Sequence, residues 1–331
     1  MNIMKKTLFM GGAALSALLY APIAFAQDTQ DADVNISAQK SADAIKAMGD
    51  TEALLPEVKK IDADPALWVV KDEDTTIYLF GTIHLLKPEL DWFNDEIRTA
   101  YDKSDELVIE MIEPSQEEMI AQSTKLMIDS SGKSLRDKMT PQQRKIYTEA
   151  MADIGLPENA LDPIRPWAAG VQTQVMLMTK GGFDPNSGAD KIITKQAERD
   201  GKPILGLETM GYQLSIISSG DEEKHIQFLV EGLKDRDKVV PELNKMVDGW
   251  ASGDQKKLNE TLVLPMESAE YKIFFERVFK ERNINWAAWL DARMDRPGTV
   301  FVAVGAGHLV GDESVQNHLA EYGHQSKLVT N

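Results

Sequence analysis

Two apolar β-like runs, Thr76-Ile77-Tyr78-Leu79-Phe80 and Thr299-Val300-Phe301-Val302-Ala303-Val304, lie toward opposite ends of the chain, and each closes in a Gly-x-x-His tetrad. The tetrads are Gly81-Thr82-Ile83-His84 and Gly305-Ala306-Gly307-His308. The second run has no polar alternation, the pattern of a strand buried on both faces, and such a strand needs cover on each side. In an α/β sheet, two such strands would carry their histidines to strand ends, where the imidazoles could converge.

The remaining pattern agrees with an α/β domain. Ala66-Leu67-Trp68-Val69-Val70 pairs through the polar turn Lys71-Asp72-Glu73-Asp74 with the first run as a hairpin. Helical spacing from Asp91 to Asp102 leads to Leu107-Val108-Ile109, which ends in Glu110. Helices follow to about Thr179, and Pro203-Ile204-Leu205-Gly206-Leu207 is a further short run that ends in Glu208. From Asp221 to Met294 the chain is charged and helical with a break at Gly249–Asp254; after the second tetrad come a helix over Glu313–Glu321 and a strand over Lys327–Thr330. The expected architecture is a central mixed β-sheet covered by helices, with the long helical excursion over one face before the last strands.

The N-terminus has a basic start (Lys5, Lys6), an apolar stretch from Leu8 to Ile23 and a small-residue end at Ala24-Phe25-Ala26. This predicts a cleaved signal peptide over residues 1–26, export to the periplasm and no stable membrane anchor, since the stretch falls short of the roughly 20 apolar residues that span a bilayer. Residues 27–64 form an acidic, weakly ordered leader, and 65–331 the folded domain. Losing the signal leaves 34 basic against 53 acidic residues, a charge of −19, which argues against nucleic acid as a partner. With no cysteine, thiolate metal sites and Cys nucleophiles are excluded, and the exported domain must hold together through its core.

In α/β sheets ligands bind beyond the carboxyl ends of the strands, and four runs end there in His84, Glu110, Glu208 and His308. Two neutral imidazoles with one carboxylate make an open set of three ligands for a divalent ion, which can activate water and polarise a carbonyl for amide or ester hydrolysis. Glu110, in the unit next to His84, is the favoured ligand or base; Glu208 is a candidate to hold the ligands in place or contact substrate, or simply an acid favoured near a helix start. The motif glycines Gly81 and Gly305 would let the chain turn off the strand. His225, His318 and His324 read as solvated surface. The Met-rich segment around Met176 and Met178 reads as core, as do Phe274, Phe275, Trp286 and Trp289. There is no His-Glu-x-x-His, Gly-x-Ser-x-Gly or phosphate-loop motif, and the glycines at 305, 307 and 311 lack dinucleotide-site spacing.

Tyr78–His84, Gly206-Leu207-Glu208-Thr209, Arg282-Asn283 and Val302–Gly311 resemble the TraB/GumN family, which includes the Tiki metalloproteases, and the likeness runs from about Ala66 to Val329. The resemblance implies a metal-dependent peptidase with His84, Glu110 and His308 as ligands, Mn²⁺ or Co²⁺ favoured and Zn²⁺ possible, acting on a peptide or protein. It implies that Arg282 stabilises an oxyanion or holds substrate, and it marks Asp190 and Asn283 as supporting residues. A binding protein that sequesters a peptide or saccharide without turnover is the alternative. Haem, bound by a related branch, finds no axial-ligand motif.

Overall fold

The computed structural model describes residues 59–262, 272–273 and 275–330. The expected signal peptide, residues 27–58 of the expected leader, and Phe274 lie outside the described residues. In chain order the elements are β1 (Ile61–Asp62), β2 (Leu67–Lys71), β3 (Thr75–Thr82), β4 (Leu90–Asp91), α1 (Asp95–Lys103), β5 (Glu106–Met111), α2 (Gln116–Met127), α3 (Pro141–Ile154), α4 (Pro166–Lys180), α5 (Ala189–Asp200) and β6 (Ile204–Glu208). There follow α6 (Met210–Ser218), α7 (Glu222–Lys234), α8 (Val239–Ala251), α9 (Gln255–Leu262), a π-helical turn (Glu276–Lys280), α10 (Glu281–Met294), β7 (Gly298–Gly305), α11 (Val315–Glu321) and β8 (Lys327–Leu328). Residues 59–64, assigned to the leader by composition, already contain β1, which pairs with β4, and the buried Ala63.

The fold is α/β. Six strands form a mixed sheet in the order β6-β5-β7-β3-β2-β8, in which β6, β5, β7 and β3 are mutually parallel. The antiparallel hairpin β2–β3 is closed by Asp72, whose carboxylate accepts from the backbone N–H groups of Asp74 and Thr75. The two apolar runs become neighbours: β3 and β7 pair along their length and end at Thr82 opposite Gly305, so the tetrads leave the same sheet edge side by side.

The central strands are apolar on both faces, and each face is covered. On one, Phe80, Phe301 and Ile109 pack with Tyr101 of α1, Ile193 of α5 and Trp250 of α8. On the other, Ile77, Leu79, Val300 and Val302 pack beneath Trp286 and Leu290 of α10 and Leu319 of α11. The excursion therefore does not lie over one face: α8 covers the first and α10 the second. The physical reason is that two apolar faces need two covers, and a segment this long can supply both. A third cluster, with Tyr147, Met151, Ala169 and Leu229, joins α3, α4 and α7. Helix α8 extends into the expected break and ends at Ala251, and the chain breaks at 252–254 before α9; Trp250 is buried and donates to the Gly81 carbonyl at 2.7 Å. No helix among the described residues is long and apolar enough to cross a membrane.

Two histidine assignments change. His225 and His318 are buried rather than solvated, because each stands on the inward side of its helix. His225 Nε2 lies 3.0 Å from the Ser219 carbonyl and His318 Nε2 3.0 Å from Glu313. His324 is half-buried and bonds to Asp291.

Candidate functional site

The glycines of the tetrads act through close approach, not through a turn: neither has positive φ. A Cβ on Gly81 would stand 3.0 Å from Ala306 Cα, and one on Gly305 would stand 3.0 Å from Glu110 Oε1. Without side chains there, the two motifs pack together and Glu110 reaches the Gly305 N–H, which donates to it at 2.7 Å. Glu110 is buried, and burial raises its pKa; the Arg282 charge above all, with the two neighbouring histidines and the Gly305 N–H, outweighs that and holds it at about 2. It is a carboxylate at neutral pH.

Arg282 follows the π-helical turn and is buried with its charge fully engaged. Its Nη2 donates to Glu110 Oε2 at 2.7 Å, Nε and Nη2 donate to Glu208 at 2.8 Å, and Nη1 donates to His308 Nε2 at 3.0 Å and to the Val278 carbonyl. Glu208 also accepts from Trp286 Nε1 and Gln213 Nε2, while Gln213 bridges Glu208 and Glu110. The start of α6 is capped by the Thr209 hydroxyl, so Glu208 is free to serve this network instead of the helix end.

His308 is held on three sides. Trp286 lies against its ring at 4.4 Å and Phe279 at 5.0 Å, and its Nδ1 bonds to Asn283 Oδ1. The Asn283 amide is oriented by its own N–H bond to the Glu313 carbonyl, so the oxygen faces the histidine and the proton sits on Nδ1. Burial, reinforced by Arg282, holds the His308 pKa well below its ordinary value. The ring is neutral, with its Nε2 lone pair toward Arg282 and 3.8 Å from Glu110.

His84 has a matching support. Its Nδ1 lies 3.1 Å from Asp190 Oδ2, in a contact that is close but not aligned for a hydrogen bond, so the Asp190 charge matters more than direction. Asp190 reaches this place because Gly188 lets α5 begin against the His84 carbonyl; a Cβ on Gly188 would lie 2.3 Å from that oxygen. Burial lowers the His84 pKa, but Asp190 and then Glu110 outweigh it and lift it to about 9.

A cavity of about 170 Å³ opens beside His84 and Glu110, with Thr82, Asp190, Lys191, Met111 and Ile204 in its wall. Thr82 Oγ1, His84 Nδ1, Asp190 Oδ1 and Gln213 Oε1 are buried without a hydrogen-bond partner among the described residues. Thr82, His84 and Asp190 line the cavity, whereas other buried atoms of this kind, such as Trp167 Nε1 and Gln316 Oε1, lie elsewhere in the fold.

The structure thus joins Glu110, Glu208, Arg282, Asn283 and His308 in one network and pairs His84 with Asp190 beside it. It does not place ligand atoms of His84, Glu110 and His308 all within 4.8 Å of one another; among the described residues only the exposed Asp62, Asp64 and Asp95 come so close. Arg282 stands between His308 and Glu110. Trp286 belongs to the site as well as to the core, and Gln213, Gly188 and Trp250 were not anticipated. Gln213 had a signal, as a lone amide on the apolar helix α6.

These features define an α/β domain with a buried histidine, carboxylate and arginine centre at the carboxyl ends of parallel strands. The model of the TraB/PrgY/gumN family matches residues 66–327, and the chain belongs to that family. A protein of Treponema pallidum (strain Nichols), described as uncharacterized, is 21% identical over 262 residues, covering 75% of this chain and 78% of its own length. No solved structure matches this chain.

Proposed function

We propose that this protein is a divalent-metal-dependent hydrolase that cleaves peptide bonds, exported to the periplasm behind a signal peptide cut after Ala26. The observation that carries the reading is an acceptor beside Nδ1 of each histidine: Asn283 Oδ1 accepts from His308, and the Asp190 carboxylate stands 3.1 Å from His84 without an aligned bond. Metal-binding histidines are held this way, because an acceptor at one ring nitrogen fixes the tautomer and turns the other toward the ion. Glu110 adds an ionised oxygen, so the donors His84, His308 and Glu110 suit Mn²⁺ or Co²⁺, with Zn²⁺ possible. With His84 deprotonated, as a ligand must be, Glu110, Glu208 and Asp190 bring three negative charges and Arg282 one positive, which leaves two for a divalent ion to balance.

A bound ion supplies an activated water and a polarised carbonyl. The residues themselves then divide the work. Asp190 holds His84 in place from its Nδ1 side, while Arg282 sits where it can stabilise negative charge that develops on substrate. The cavity beside His84 offers room for a substrate side chain.

A second reading, capture of a peptide or saccharide without turnover, is favoured by one observation: Arg282 already bonds His308 Nε2 and a Glu110 oxygen, two of the donors an ion would need. Calorimetric titration of Mn²⁺, Co²⁺ and Zn²⁺ separates the two. The hydrolase reading expects about one ion per chain, lost in His84→Ala/His308→Ala, and peptide cleavage that a chelator abolishes. Peptide or saccharide binding that persists in chelator, with no ion bound, would replace it with the second.

A further inference from the structure

Arg282 has its acceptors divided between two sides of the site. On one side Glu208 receives Nε and Nη2 as a bidentate pair at 2.8 Å. On the other, Nη2 reaches Glu110 at 2.7 Å and Nη1 reaches His308 Nε2 at 3.0 Å. The last bond is possible only because Asn283 keeps the proton on Nδ1 and leaves a lone pair on Nε2. That lone pair and the Glu110 carboxylate are also donors that the ion proposed above would use, whereas Glu208 lies outside that set. One lone pair cannot serve two cations.

We propose that Arg282 is a built-in competitor of the divalent ion, capping His308 Nε2 and Glu110 while no ion is bound, and yielding them on ion uptake while Glu208 retains the guanidinium. The inference rests on the metal-dependent reading above. It accounts for a centre in which Glu110, Glu208 and His308 all bond Arg282, without three ligand atoms gathered for an ion. Ion binding becomes an exchange of one cation for another, and its affinity is set partly by the strength of the Arg282 bonds that are released.

The test is a charge-neutral deletion. Arg282→Met with Glu208→Gln removes the competitor and its anchor together and leaves the formal charge of the site unchanged. In calorimetric titrations with Mn²⁺ and Zn²⁺ the double variant should bind about tenfold to a hundredfold more tightly than the unaltered protein, the value of a released charge-assisted hydrogen bond. Equal or weaker binding overturns the competition and leaves the metal-dependent reading standing. Absence of binding by both proteins removes that reading and this inference with it.

Should the double variant fail to fold, the unaltered protein gives the same answer by ¹⁵N nuclear magnetic resonance. Saturating Zn²⁺ should shift His308 Nε2 and the Arg282 Nη signals while Arg282 Nε, held by Glu208, stays in place. Arg282 Nη signals that do not respond to bound Zn²⁺ overturn the exchange.

Discussion

Asp190→Asn isolates the charge that governs His84. Burial lowers the imidazole pKa, and Asp190, helped by Glu110, reverses the effect and lifts it from 6.5 to about 9. At roughly 1.4 kcal/mol per tenfold change in proton affinity, that rise is worth about 3 kcal/mol. Asp190 is 26% exposed, so solvent screening makes this an upper bound. The folded-state pKa lies above the unfolded one. The stabilisation is therefore complete below about pH 6.5 and disappears as pH climbs through about 9. Asparagine keeps the shape of the side chain and removes its charge, leaving burial opposed chiefly by the charge of Glu110. In chelator-treated protein, denaturant unfolding should show the wild type ahead of the variant by about 2–3 kcal/mol near pH 6, with the difference closing toward pH 10. The His84 ring signals should titrate at lower pH in the variant. A stability difference that does not vary with pH, or a His84 midpoint that Asp190→Asn leaves in place, would refute the assignment of the raised proton affinity to Asp190.

Gly188→Ala places a methyl group 2.3 Å from the His84 carbonyl oxygen, a backbone atom that cannot swing aside, so a thermal melt should show a loss of about 1–3 kcal/mol or more; an unchanged midpoint would mean that α5 can start farther from the strand end. Trp250→Phe takes the donor from the Gly81 carbonyl inside the core and should cost about 1–3 kcal/mol in denaturant unfolding. Glu110→Gln leaves Arg282 without one of its two carboxylates, an expected loss of about 3–5 kcal/mol at neutral pH. Because the folded pKa of Glu110 is lowered to about 2, its contribution is present above the ordinary 4.5 and fades as pH falls toward 2. The variant should therefore lose least in acid, and a constant loss from pH 7 to 3 would contradict it.

Strands β3 and β7 were readable because their apolar runs are long for their type and end in glycine, and a parallel strand buried on both faces leaves no polar position to confuse its period. The hairpin was readable from the acidic turn at Asp72. The direction of the excursion was not, since both α8 and α10 carry an apolar stripe and nothing local says which face of the sheet each will meet. The chemistry divides in the same way. Strand ends announce His84, Glu110 and His308, whereas Arg282 lies in a charged helical stretch where its neighbours Lys280 and Glu281 look alike, and only tertiary packing makes it the buried one. The glycines drew attention for their freedom, yet what they provide is the missing Cβ, a property of the partner atoms and invisible along the chain.

Burying Glu110, Glu208 and Arg282 together costs more desolvation than an apolar cluster of the same volume, and a chain without disulfides has little stability to spare. Stability alone would favour leucines here, so the retention of three charges argues for a site that uses them. The partners also come from separate parts of the chain. Glu110 needs the Gly305 N–H from β7, Glu208 needs Arg282 from α10, and His308 needs Asn283. Strand β7 lies between β5 and β3, so until it is inserted the sheet remains in two pieces and Glu110 lacks its backbone donor. The charged centre can therefore form only with the sheet that carries it, and a partly folded chain contains the residues of the site without their geometry.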